Sequence, residues 1–225
     1  MYFVEIIGLG GSGKTTLAKK LSLQNKNRKL NFIFPDQTKK RNLYFNAILI
    51  FIKISLKNPL FLFCLFKSSG QMWLFKKIVY RYSRINLIKN KKINILVDSG
   101  CYEPFISHAM FFNSFKNHKH YYNYFHILEK PIAVICLDIN PITSLHRFIS
   151  REKKLNRFNE YNASRLKDNF KSADKLYNNL KKMLKKNKIK KIEIDANTHP
   201  FTSSQVNIIE FELKTLSGSI KDYEI

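Results

Sequence analysis

Residues 8–15 read Gly8-Leu9-Gly10-Gly11-Ser12-Gly13-Lys14-Thr15. Two glycines bracketing four residues, followed by a lysine and a hydroxyl residue, have the spacing of a loop that wraps phosphates. Gly8 and Gly13 supply backbone angles closed to other residues. Successive N–H groups then turn inward and form an anion nest, which Gly10, Gly11 and Ser12 complete. The helix that follows adds its dipole, with Thr16 in its first turn. Lys14 is placed to reach the β- and γ-phosphates, and the Thr15 hydroxyl to take a Mg²⁺ ion. The chemistry implied is binding of a nucleoside triphosphate with its metal.

Asp98 is the second such residue. It closes the apolar run Ile93 to Val97 and precedes Ser99-Gly100, so it stands where a buried strand meets a turn. A phosphate-loop protein holds Mg²⁺ or its water shell with a carboxylate at that place. Cations complete the set: Arg147, Arg151 and Arg157 are three of only eight arginines and fall within eleven residues. A planar guanidinium suits a phosphoryl charge spread over several oxygens. The same run also reads as a solvated basic helix face. Guanine readers carry Asn-Lys-x-Asp, but Asn25-Lys26, Asn90-Lys91 and Asn187-Lys188 all lack the Asp two places on. ATP is therefore the nucleotide expected. Large motor and transporter ATPases need more than 225 residues, which leaves a small kinase.

These residues need a frame, and the apolar pattern supplies one. Short apolar runs at 2–7, 31–34, 93–97, 132–137 and 189–194 read as strands. Helical spacing fills 15–23, 43–57, 60–88, 104–115, 121–128, 142–150, 162–184 and 203–216, with Asn58-Pro59 breaking the second from the third. The strands are apolar throughout, as when helices cover both faces of a parallel sheet. The pattern predicts an α/β chain with the three-layer P-loop NTPase fold: a five-stranded parallel sheet, helices on both faces, and the nucleotide at the C-terminal strand ends. One domain over 1–225 is expected.

Composition bounds the partners. The net charge is +24, which attracts polyanions. Lysines outnumber arginines 32 to 8, whereas a surface built to grip phosphates favours Arg, so the charge reads first as base-composition drift. No stacking platform or groove-reading motif supports a specific nucleic-acid partner. Cys64, Cys101 and Cys136 lie in or beside apolar runs without paired spacing, which suits reduced thiols in a cytoplasmic protein rather than disulfides or zinc. His108, His118, His120 and His126 lack a Cys or carboxylate at ligand spacing and read as packing or surface residues. The N-terminus has no signal-peptide pattern. The greasy segment Leu43 to Phe66 is broken by Lys53, Lys57, Asn58 and Pro59, too often to span a bilayer. It reads as paired helices on the core, or as part of a basic region, 43–88, lying on anionic lipid.

The order of these features resembles the thymidylate kinase family over most of the chain. The loop at 8–16 is similar to that family's opening, and Phe34-Pro35-Asp36 to its acceptor-side turn. Val97-Asp98-Ser99 falls where the family has an Asp-Arg pair. Residues 131–141 resemble its fourth strand, and 151–158 its lid, here bounded at 151–161. Ile194-Asp195-Ala196 resembles the end of its last strand, beside adenine. The resemblance implies transfer of the ATP γ-phosphoryl group to a nucleoside monophosphate. It gives Lys14, Asp98, Arg151 and Arg157 catalytic roles and places Arg147 and Ala196 near adenine. The loop has no Arg of its own between Leu9 and Ser12, so the lid must supply that cation.

The acceptor side departs from the family. Ser99 stands where an Arg helps hold the acceptor, and 37–92 is unusually apolar and aromatic. Asp36, Arg41, Phe63 and Ser99 are the acceptor candidates; Phe61, Trp73, Arg81 and Arg84 are further ones that read equally as core or surface. The expected partner is a small-molecule phosphate acceptor: a nucleoside monophosphate, another nucleotide, a sugar or a lipid-linked group. A nucleotide-gated binding protein, peripheral contact with an anionic membrane, and a homodimer stay open.

Overall fold

β1 (Phe3–Gly8) is buried along its whole length. Side chains alternate between the two faces of a strand, so both faces of β1 are covered. The computed structural model describes residues 3–24, 40–57, 69–89, 95–98, 100–112, 130–154, 163–198 and 200–221. After β1 come α1 (Lys14–Gln24), α2 (Lys40–Lys57), α3 (Ser69–Lys89), β2 (Ile95–Val97), α4 (Glu103–Phe112), β3 (Ala133–Asp138), α5 (Pro141–Lys154), α6 (Ala163–Lys186), β4 (Lys190–Asp195) and α7 (Ser203–Lys221). The expected helix at 121–128 lies outside the described residues.

The strands form one parallel sheet in the order β2-β1-β3-β4. Glu5 pairs with Val97 on one side and Val134 on the other. β3 continues to β4, with Asp138 opposite Asp195. All described strands therefore end on the same edge, where a parallel sheet offers its crevice. The described sheet counts four strands against five expected; the second expected strand, 31–34, lies outside the described residues. α1 and α7 touch each other and the sheet, and α4 and α6 do likewise.

Two sequence expectations change here. β4 is not uniformly apolar: Ile192 and Ile194 are buried between exposed neighbours, the alternation of a strand at the border of the sheet. α2 packs on α3, but mainly through Ile50 and the partly buried Ala47. Its other face stays exposed, from 41% at Phe51 to 79% at Leu56, with Tyr44, Phe45 and Ile48 between. An all-apolar helix shows no period from which to read its buried side. No helix among the described residues is long and apolar enough to cross a membrane.

Candidate active site

β1 ends at Gly8 and the chain turns at once. The Ser12 N–H donates to the Leu9 carbonyl at 3.1 Å, and the Leu17 N–H to the Gly13 carbonyl at 2.9 Å, which starts α1. Positive φ falls on Gly11 (+86°) and Gly13 (+91°), a conformation that strains other residues. Gly8, expected to need such an angle, is not among them; what it needs is room. A Cβ there would stand 2.6 Å from Ser12 Oγ and 3.1 Å from Leu137 Cβ. At Gly11 a Cβ would also meet the Ser144 carbonyl oxygen at 2.5 Å and Phe148 N at 2.9 Å. The start of α5 thus lies directly on the loop, and Ser144 Oγ donates to the Gly10 carbonyl at 2.6 Å.

The Lys14 ammonium donates to the carbonyls of Gly8 (2.8 Å) and Leu9 (3.0 Å). Burial pushes its pKa down; Glu103 and Asp98 oppose that, while Arg151 and Arg81 add to it. Lys14 accordingly stands among two carboxylates and two guanidiniums. Thr15 Oγ1 donates to Asp98 Oδ2 at 3.1 Å. A hydroxyl and a carboxylate brought together from α1 and the end of β2 are hard oxygen donors of the kind Mg²⁺ takes. Ser12 Oγ is buried and has no hydrogen-bond partner among the described residues. A loop with a buried hydroxyl to spare and a cradle that a Cβ would fill fits a phosphate group.

An open cleft of about 800 Å³ lies over this loop, with Lys14, Thr15 and Thr16 on one wall and Arg147, Arg151 and Lys154 of α5 on the other. Arg147 donates to the carbonyls of Ala196 (2.8 Å) and Asn197 (2.7 Å), so the structure brings Arg147 and Ala196 together. Ala196 is itself held by its N–H on the Asp138 carbonyl at 2.7 Å. Arg151 lies over the Phe148 ring, 5.2 Å from its centroid, and pairs with the buried Glu152 at 2.8 Å. Arg151 therefore belongs to the last turn of α5. The rest of the expected lid, with Arg157, lies outside the described residues.

Near Lys14 stands Arg81, which the sequence left open between acceptor, core and surface, together with two carboxylates that sequence reasoning passed over, Glu103 and Glu5. Arg81 of α3 pairs with Glu103 at the start of α4 and reaches the Gly100 carbonyl at 3.4 Å. Burial alone would raise the Glu103 pKa, but Arg81 and Lys14, with a hydrogen bond from Ser107, hold it at about 2. Glu5, fully buried in β1, accepts the N–H groups of Cys101 (3.0 Å), Tyr102 (2.7 Å) and Glu103 (3.1 Å). Burial lifts its pKa to about 7 against the pull of those N–H groups and of Arg81. The signal was present: a lone Glu inside the run Phe3 to Ile7 has to find donors if the strand is buried. Asp36, Phe61, Phe63 and Ser99 lie outside the described residues. Arg41 lies in α2, and its side chain is also outside them. Trp73 packs beside the buried His108, ring centroids 6.2 Å apart, the packing expected of that histidine. No cluster of metal-ligating side chains occurs among the described residues.

No protein-family model matches the chain, and no curated protein matches it. Solved structures do. The structure of deoxyadenosine kinase from M. mycoides with the products dCMP and a flexible dCDP is similar over 95% of this chain and 99% of that one, at 19% identity and a TM-score of 0.54. The structure of deoxyadenosine kinase from M. mycoides with bound dATP matches over 95% and 100%, at 19% identity and a TM-score of 0.52. Over 95% of its length the chain shares the fold of these deoxyadenosine kinases.

Proposed function

We propose that the protein is an ATP-dependent kinase that phosphorylates a deoxynucleoside or a closely similar small acceptor. The observation that carries this reading is the convergence of Lys14, the Thr15–Asp98 pair and Arg151 on one cleft at the ends of parallel strands. ATP with Mg²⁺ would supply the phosphoryl group and the metal's countercharge. Transfer of a phosphoryl group needs positioning and charge neutralisation above all. In this reading the loop amides and Lys14 bind the phosphates, Thr15 and Asp98 hold the metal, and Arg151, joined by Arg157, neutralises charge at the transferred group. Arg147 and Ala196 flank the base of the donor nucleotide.

The thymidylate kinase resemblance points to a nucleoside monophosphate as acceptor; the likeness to deoxyadenosine kinases supports a nucleoside. The Arg81–Glu103 pair favours the second. Arg81 is already matched by a carboxylate, so the pair adds little net positive charge near Lys14 for a second phosphorylated substrate. An acceptor with hydroxyls and a neutral base suits it better. A screen of ATP consumption against deoxynucleosides, nucleoside monophosphates and sugars tests the reading. Turnover is expected with at least one deoxynucleoside. Turnover with monophosphates alone would restore the thymidylate kinase reading, and none with any acceptor would end the kinase assignment.

A further inference from the structure

Glu5 lies three residues before Gly8, in the middle of the strand that carries the phosphate loop. One of its oxygens accepts from the Tyr102 and Glu103 N–H groups and the other from the Cys101 N–H. Its backbone is paired to Val97, the residue before Asp98. A Cβ on Gly100 would collide with its carboxyl group, so the turn fits closely over that one side chain. The same turn offers the Gly100 carbonyl to Arg81.

We infer that Glu5 is a positioning residue: it ties the strand of the phosphate loop to the turn and helix start that carry Asp98 and Glu103 and bind Arg81, and so keeps these groups in register with Lys14. This rests on the kinase reading above. A helix start can be capped by a local Ser, Thr, Asp or Asn at the surface without burying a charge. Here the cap comes from nearly a hundred residues away and is fully buried. Burying a carboxylate is a poor route to stability, because an apolar side chain of similar volume often does as well or better. What Glu5 adds is a fixed geometry between two segments of the chemical site. Phosphoryl transfer is sensitive to that geometry.

Glu5→Gln is the test. The amide oxygen keeps the Tyr102 and Glu103 bonds, while the amide nitrogen faces the Cys101 N–H, donor against donor. In folded variant, kcat should fall about tenfold and the acceptor KM rise several-fold, with the ATP KM within about twofold of the parent. A cap alone would shift the unfolding midpoint and leave these constants in place, and that result would overturn the inference. Amide exchange gives a reading that needs no turnover. Exchange at 101–103 should quicken about tenfold in the variant while 133–138 keeps its protection; unchanged exchange at 101–103 would equally overturn the inference. Absence of turnover in the parent protein would instead sink the kinase reading, and the exchange result would still judge Glu5. If Glu5→Gln does not fold, Glu5→Asp, which keeps both oxygens but shortens the reach by one methylene, decides on the same measurements.

Discussion

Two regions of the site are built by different means. Around the phosphate loop and α5 the acceptors are backbone: carbonyls of Gly8 and Leu9 hold Lys14, the Gly10 carbonyl holds Ser144, and the carbonyls of Ala196 and Asn197 hold Arg147. The turn after Asp98 is tied by side chains from distant segments: Arg81 to Glu103, and Glu5 to the turn itself. A backbone nest constrains residue type at fixed local spacing, because only certain residues allow its angles. An ion pair between helices demands complementary charge and leaves no fixed spacing to read.

This contrast is open to experiment. Lys14→Ala should strike hardest, lowering kcat about a thousandfold while the fold, checked by circular dichroism, persists; full turnover would contradict the donor assignment. Arg81→Met should raise the acceptor KM by about ten- to a hundredfold and leave the ATP KM near its parent value. A rise in the ATP KM alone would instead tie Arg81 to ATP binding. Arg147→Ala should do the reverse on a smaller scale, raising the ATP KM several-fold through loss of its hold on Ala196 and Asn197.

A test on another scale is stability against pH. The Glu5 pKa stands at about 7 in the folded protein, above the ordinary 4.5. A group whose pKa rises on folding contributes stability below its unfolded value and loses it as pH climbs through the folded value. Denaturant unfolding at pH 5.5 and 8 should therefore show less stability at pH 8, by a few kcal/mol at most. Glu5→Gln should flatten that slope. The groups facing Glu5 are Arg81, Cys101, Tyr102 and Glu103. Burial lifts the Cys101 thiol and the Tyr102 phenol, while Glu103 is held at about 2. Glu5 is the member of this set expected to titrate between those two pH values.

What the sequence disclosed follows the same division. The loop and Asp98 at a strand end were readable, since each depends on local spacing; Arg147 and Ala196 were put near one another only by the family resemblance. Gly8 was read correctly as required, but for the wrong reason: Ser12 and Leu137 exclude a side chain there, and Gly11 takes the strained angle instead. Glu5 and Glu103 were missed because their partners are separated from them by tens of residues, as Arg81 is from Glu103. Ser144 was missed for the same reason: its partner, Gly10, is 134 residues away. The apolar face of α2 was left between core and a lipid surface because hydrophobicity without a period has no direction.

α5 touches the phosphate loop through Ser144 and carries Arg151 seven residues later. Seven residues are about two helical turns, so the two side chains lie near one face of the helix, about 10.5 Å apart along its axis. The helix therefore acts as a ruler. It sets the height of one cation above the nest by a count of residues.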